Sequence, residues 1–574
     1  MTDDLARCYT ARHAMAPRLD SHLARVFLTG ICLLCVADRS TASSVQISAD
    51  PFTNAGSQHM TEVEPHIFAY GSTIVGVFQQ GRIFDGGCSD IGFATSTDYG
   101  LTWQAGSLPG ITVWGGGGRY QRVSDPSVAY NEAFGVWLIE TLPFDSSPHE
   151  LFVSRSGDGL TWDDPVTVTT GGSYFDKPWI TCDNWPTSPF YGNCYIQWDD
   201  AGAGDLILMS TSSDGGATWG PALTTAGVAR GLGGQPLALP SGRLVVPYAG
   251  GSGVRSFFSD DGGNSWGSSR AVASVSEHGV AAGIRDADLP SAAIDGDGTI
   301  YVAWADCRFR SFCHSNDIVF TTSSDGETWS AVTRTPIDDV ATNADHFLPG
   351  FGADRNTFSP NVGLGVVYYY YPEASCSSAT CQLTAGFITS QDGGNSWSDP
   401  VDVGGPMLVS WIANTNQGRM VGDYFATFYT DDGIPHPIFG AATPPLGMLF
   451  QSMYSTCDTC ASPSSSRAAI ASSSEEVAPV DEEWPAGAAQ SPSGSLRVSA
   501  ETYRVNIGAI VSLKASGAVA ENAAVHWEVE EGAAGGSVSG AGVYAAPLSP
   551  GVYHLIASSG AERARLAIKV FTVR

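Results

Sequence analysis

The chain has 574 residues, 43 % of them hydrophobic and only 15 % charged, with 67 glycines, which suits a large globular protein rich in strands and tight turns. Its 58 acidic against 28 basic residues leave a net charge of −30, which argues against nucleic acid or an anionic membrane as partner.

From the N-terminus, Val26 to Ala37 is an apolar run too short to span a bilayer, preceded by Arg18 and Arg25 and followed by small residues. It predicts a secretory signal within residues 1–44, cleaved near Ala42, and an extracellular protein, secreted or on the cell surface. No later run approaches membrane-spanning length. Cysteines beyond the signal fall into close pairs, Cys182/Cys194, Cys307/Cys313, Cys376/Cys381 and Cys457/Cys460, which in an exported chain read as local disulfides, with Cys88 left over.

Between residues 45 and 456 one unit recurs: an alternating apolar strand, a turn, a second strand, a variable loop, then a third strand entering a short motif. The motif is a serine, an aspartate two residues on, a glycine, a Thr or Ser, and a tryptophan. Its copies begin at Ser96, Ser156, Ser212, Ser259, Ser323 and Ser390 and end at Trp103, Trp162, Trp219, Trp266, Trp329 and Trp397. An aspartate in a tight turn accepts backbone N–H bonds, glycine takes the φ > 0 position, and the indole covers the turn. After the sixth copy a further hairpin follows, Asp423–Tyr429 with His436–Phe439 and then Met448–Met453, without a motif; its missing strand can come from Val45–Ser48.

This repeat resembles the Asp-box, or BNR repeat, of sialidases and other secreted propellers. The resemblance implies an all-β fold, an Asp-box β-propeller at 45–456, in which the hairpins count seven blades, with six, the sialidase number, as the alternative. Residues 457–495, rich in Ser, Ala, Pro and Glu, read as a low-complexity linker. From 496 to 574 short alternating strands resemble a bacterial Ig-like domain, a small β-sandwich serving as spacer or adhesion module.

In a propeller the residues just before each inner strand meet at one mouth. Those positions are mostly acids: Glu62 and Glu64 before Pro65, Asp125 before Pro126, Asp176 before Lys177-Pro178, Asp288 before Leu289-Pro290, Asp345, and Asp423 before Tyr424, with Gln235 as the exception. Arg82, Lys177, Arg285, Arg308 and Arg419 interleave with them. Such a rim suits polyhydroxylated or carboxylated ligands, since acids bond sugar hydroxyls and arginine grips carboxylates in bidentate fashion. The plainer reading is that these acids only satisfy loose backbone N–H groups and neighbouring bases.

The sialidase resemblance assigns roles residue by residue. Arg82 follows Pro65 by seventeen residues, as a family arginine does, and Asp85 stands where the general acid is expected; Arg308 and Arg419 are the candidates for the remaining arginines of the carboxylate-binding triad, although Val63 occupies its first position. Tyr424, eight residues before Asp432, resembles the nucleophilic tyrosine, with Asp423, Asp288 or Glu64 as its base and Asp176 among the substrate-binding acids. Asp295-Gly296-Asp297-Gly298 reads as a hairpin turn rather than a calcium loop. The expectation is therefore a sialidase-like exo-glycosidase acting on a glycan or glycoconjugate without cofactor or metal; the alternative is a propeller that binds glycan or protein without turnover.

Overall fold

The computed structural model describes residues 43–286, 289–445 and 448–456, and, further on, 497–500, 504–506, 510–516, 525–530, 532–540, 542–547, 549, 551–559 and 562–571. The expected signal, the linker, Asp288 and the Cys457/Cys460 pair lie outside the described residues. These divide into two compact units, meeting in the numbering at Ser466/Arg467. Among them the regular structure is strand and short 3-10 turn only.

In the first unit the chain lays down antiparallel sheets one after another. The first runs Glu62–Tyr70, Thr73–Arg82, Cys88–Ser96 and Gln104–Ser107, and the second Arg122–Asn131, Val136–Phe144, Glu150–Ser156 and Val166–Thr170; a bridge between Cys88 and Val123 links them. A third runs from Phe175–Cys182 to Leu223–Thr224, a fourth from Leu237–Ala238 to Arg270–Ser274, a fifth from Ser291–Ile294 to Thr333–Arg334 and a sixth from Asp345–Ala353 to Val401–Leu408. The last has only three consecutive strands, Ala426–Tyr429, Pro435–Ala442 and Gln451–Thr456. Its fourth is Ser44–Gln46, with Val45 opposite Ser455. An antiparallel strand from the far end of the domain thus covers an edge that would otherwise expose unpaired backbone groups.

Alternating strands bury both faces between neighbouring sheets. Phe68, Val77 and Phe93 of the first sheet pack on Val128, Ile139 and Phe152 of the second; Leu138 and Val153 pack on Ile196 and Trp198 of the third. The series continues sheet by sheet. It closes where Ala426, Ile438 and Met453 of the last sheet meet Ile67, Ile74 and Ala94 of the first. The sheets therefore form a ring, and the first strand of each faces its axis.

The six motifs are turn staples, as their chemistry predicts. In the first, Gly100 N–H donates to Ser96 Oγ at 2.8 Å, Thr102 N–H and Oγ1 donate to the Asp98 carboxylate at 2.9 and 2.6 Å, and the Trp103 indole donates to the Gly100 carbonyl at 3.0 Å. The turn demands glycine, because Gly100 sits at φ 81°. Three of the expected disulfides form: Cys182–Cys194, Cys307–Cys313 and Cys376–Cys381. Cys88 is a buried free thiol.

Opposed groups of carboxylates set the pH dependence of stability. Asp98, Asp158, Asp214, Asp261, Asp325 and Asp392, one in each staple, are held below the ordinary carboxylate value, and in Asp325 the N–H donors of Thr328 and Glu327 bring it to about 2. A depressed folded pKa contributes stability that is complete above about 3.8 and is lost as pH falls. Burial instead pushes Glu62 up to about 8 and Asp199 up to about 9, so between the ordinary carboxylate range and those values the unfolded chain gives up protons the folded state keeps, and stability falls as pH rises. The melting temperature is expected to peak between about pH 4 and 6. Thermal scans from pH 2 to 9 check this, and a midpoint still climbing above pH 6 would contradict it.

The second unit holds two four-stranded sheets. One orders Arg497–Ala500, Ile510–Ser516, Val543–Ala545 and Ser537–Val538; the other orders Arg504–Asn506, Glu562–Phe571, Gly551–Ser559 and His526–Val529. Val511, Leu513, Trp527, Tyr544, Leu555, Ile568 and Val570 form their shared core.

Candidate functional site

Near the start of several inner strands stands a proline, which has no N–H to give the sheet ladder. The chain answers with a bulge: register slips between Val63 and His66, Ser124 and Ser127, Asp176 and Trp179, and Phe347 and Gly350. Each residue before the proline lies in the left-handed region, with φ 52° at Glu64, 48° at Asp125, 46° at Lys177 and 50° at Leu348. A side chain other than glycine there costs on the order of 1–3 kcal/mol, and such strain gathers at functional sites. Three of the four residues so placed are charged, and they meet.

Lys177 Nζ lies 2.9 Å from Glu64, 3.0 Å from Asp125 and 2.7 Å from Asp423. Arg285 donates to the same Asp423 oxygen as Lys177, and Gln79 bridges from Glu64 to Arg82, whose Nη1 is 2.7 Å from the Gln79 carbonyl. All three carboxyl groups are buried. Burial disfavours charge on Glu64, which rises to about 8 despite Lys177. Burial also opposes charge on Asp423, yet Lys177 and Arg285 outweigh it and hold that carboxyl far below its ordinary value. Lys177 stays firmly protonated because Asp125, Asp423 and Glu64 overcome its burial. A hydrogen bond with the Glu64 side chain adds to the lowering of Asp423, while burial raises Glu64, so the proton shared by the pair resides preferentially on Glu64.

Beside this cluster, Asp176 accepts the Lys177 backbone N–H at 3.0 Å and stands opposite Asp199, a buried carboxyl with neither oxygen hydrogen-bonded. Beneath it the axis is filled. Trp179 packs edge-on against Tyr424 and over His66, leaving a cavity of about 10 Å³ against Lys177, Gln235 and Tyr424 and a second of about 40 Å³ among His66, Phe68, Gln235 and Phe351. Both spaces are water-sized. Any larger ligand must approach from the rim, where Tyr174 is 44 % exposed.

Of the residues singled out by spacing, Arg82 joins the cluster through Gln79 and Tyr424 lies beside it, with Lys177 Nζ 5.6 Å from its ring centre. Asp85 is an exposed side chain paired with Arg122 at 2.6 Å, and that hydrogen bond keeps its carboxyl below the usual value. Tyr424 is buried with its hydroxyl donating to the Pro126 carbonyl, and burial pushes its phenol well above its ordinary value. Arg308 is clamped by Asp306 and reaches the Ser274 carbonyl; Arg419 donates to the Ile412 carbonyl. Val63 is buried against Ala413 and Met420. Arg82 is tied to Gln79, and the triad's first position is filled by the apolar Val63. Glu62 turns away from the axis to accept from Ser48. Asp85→Asn is expected to change stability by no more than about 1 kcal/mol, the scale of an exposed ion pair, in urea denaturation.

Asp125, Lys177 and Arg285 were visible in the sequence only as members of a rim. Gln79, Trp179 and Asp199 carried no signal beyond their place on strands. The charged residue directly before an inner-strand proline is the feature that could have marked three members of the cluster.

A cation site is suggested elsewhere by Asp317, Asp338 and His346, whose ligand atoms lie within 4.8 Å of one another. Arg310 and Arg334 both donate to these two aspartates, so guanidinium groups already supply the positive charge. In the Asp295 loop the carboxylate accepts from Asp297 N–H, Thr299 N–H and the Tyr301 hydroxyl, which is a turn.

Residues 161–348 match the model of the BNR repeat-like domain. No curated protein is significantly similar to the chain. Among solved structures it is similar to a protein of unknown function from Dyadobacter fermentans, at 13 % identity over 58 % of this chain and 93 % of that one, with a TM-score of 0.37. It is also similar to the Hadza microbial sialidase Hz136, at 18 % identity over 57 % and 66 % of the two chains and a TM-score of 0.37. The NanB sialidase of Streptococcus pneumoniae matches at 15 % identity over 71 % and 70 %, with a TM-score of 0.35. Residues 161–348 are thus similar to a BNR repeat-like domain, and the stapled Ser–Asp–Gly–Trp motif recurs six times around the ring.

Proposed function

We propose that this is a secreted, glycosidase-like protein whose ring of sheets is a seven-bladed propeller followed by an Ig-like spacer, and that it acts on a glycan at the mouth where the inner strands begin. The observation that carries the reading is the buried pair Glu64 and Asp423, two carboxyls on one ammonium whose proton affinities are driven apart. Such a pair divides a proton-holding role from an ionised one. Glu64 gives its proton to the glycosidic oxygen as that oxygen's bond to the anomeric carbon breaks, ionised Asp423 stabilises the positive charge that develops on the sugar, and a water adds to the anomeric carbon and returns a proton to Glu64. Lys177 holds both in place, and Asp125 and Asp176 accept from sugar hydroxyls.

Each of Arg82, Arg285, Arg308 and Arg419 already makes at least one contact within the protein, which favours a neutral or amino sugar over a carboxylated one. The internal pairing of these side chains also supports a second reading, glycan binding without turnover. Purified protein incubated with a panel of aryl glycosides, neutral, amino and sialyl, separates the two. Release of the aryl group from a neutral or amino sugar is expected. Loss of that release in Asp85→Asn with Glu64→Gln unchanged would move the proton donor to the rim, and saturable binding with no release from any member would establish the second reading.

A further inference from the structure

The end of the axis opposite the carboxyl cluster carries a group of side chains that no part of the proposed chemistry uses. Tyr70 closes the strand that begins at Glu62, so it lies six residues from Glu64, ~20 Å along an extended strand. It is on the Asp-box side, since the box turn residue Tyr99 donates its N–H to the Ser72 carbonyl of the adjoining hairpin. Tyr70 stacks on Tyr130, the penultimate residue of the second inner strand, with ring centroids 4.2 Å apart and planes at 28°. Tyr70 remains 38 % exposed, as does Tyr191.

Polar groups converge on this stack. The Tyr70 hydroxyl bonds to the Glu132 carboxylate, which also acts electrostatically on Tyr130, Tyr191 and Arg355. Arg355 lies over the Trp185 ring, 5.1 Å from its centroid, and among the described residues its guanidinium makes no hydrogen bond or ion pair. The frame is rigid. Tyr191 and Trp185 sit on a loop closed by Cys182–Cys194, and Asn184 of that loop ties down the neighbouring hairpin by accepting the Glu132 N–H at 2.9 Å and donating to the Tyr130 carbonyl at 2.8 Å.

Flat aromatic faces exposed beside one carboxylate and one unengaged guanidinium match a pyranose, which offers an apolar C–H face and a rim of hydroxyls. We propose that Tyr70, Tyr130 and Tyr191, with Glu132 and Arg355, form a second oligosaccharide-binding site at the Asp-box end of the ring, independent of the carboxyl cluster. A sugar ring lies on the Tyr70 face, its hydroxyls donate to Glu132, and Arg355 donates to its oxygens. Pinning by the disulfide loop reduces the ordering that binding must supply.

The test is a tryptophan-fluorescence titration of the full chain with cellohexaose, chitohexaose, mannohexaose, xylohexaose and hexagalacturonic acid in turn. At least one probe is expected to bind saturably, with Tyr70→Ala weakening it about tenfold, the scale of one lost aromatic contact. Tyr191→Ala, at an exposed position, is expected to weaken it as well without moving the thermal midpoint, while Glu64→Gln at the far end leaves the affinity within about twofold. The proposal is overturned if no probe binds, or if binding survives both tyrosine substitutions unchanged. Equal weakening by Glu64→Gln would also overturn it, since the ligand would then occupy the other mouth.

Discussion

Replacing Lys177 by methionine is expected to lower the unfolding free energy by about 3–5 kcal/mol, the cost of leaving buried charge without its partner. The side chain is 7 % exposed and is the common neighbour of Glu64, Asp125 and Asp423. Methionine keeps the stem and much of the volume, so packing alone accounts for little of the loss. Without the ammonium, Asp423 keeps only Arg285 and Asp125 keeps no counter-ion, and both become harder to ionise. Urea denaturation of the wild type, Lys177→Met and the double variant Lys177→Met/Asp423→Asn measures the coupling. The double variant is expected to recover part of the loss, because one buried charge has gone with its partner. A loss below about 1 kcal/mol would show that the cluster is hydrated and behaves as a surface ion pair.

The second large effect concerns turnover. In Glu64→Gln, kcat on whichever glycoside the wild type cleaves is expected to fall by about 10²–10⁴, the usual contribution of a placed acid, with a smaller change in KM. A general acid must hold its proton, so wild-type turnover should decline as pH rises through about 8, the value to which burial lifts Glu64. Asp423, held far below its ordinary value, stays ionised throughout, and that alkaline decline should vanish from the residual activity of Glu64→Gln. Tyr424→Phe is expected to keep kcat within about threefold, because the phenol is buried and bonded to the Pro126 carbonyl. If Tyr424→Phe abolishes turnover while Glu64→Gln does not, the chemistry belongs to the tyrosine, and the spacing that resembles the sialidase nucleophile identified it correctly.

The contrast between those residues shows where sequence spacing runs out. Arg308 stands at a position the sialidase pattern predicts, but Asp306, two residues earlier, clamps its guanidinium. Arg82 has the right distance from Pro65, yet Gln79 holds it. Spacing along a strand fixes a backbone position; it does not reveal which neighbour will occupy the side chain's donors. The acids before the inner strands were legible as a group, because a repeated unit puts equivalent positions at equivalent places. Their division into a protonated Glu64, an ionised Asp423 and a Glu62 that points elsewhere depends on burial and on the bulges at each proline, which are properties of the assembled ring.

What the sequence determined by itself is what short-range bonds can hold. Each staple closes within eight residues, through a serine, an aspartate and a glycine that must accept φ > 0, and the three described disulfides join cysteines 5 to 12 residues apart. Alternation along the strands did the same for the sheets, since period two needs no distant partner. The tertiary structure alone decided which charges meet: Lys177 finds Glu64 113 residues away and Asp125 52 residues away, while Arg285 finds Asp423 138 residues on. Ring closure through Ser44–Gln46 and Gln451–Thr456 brings those inner strands to one axis. Buried there, side chains lose water as a partner and must take one another.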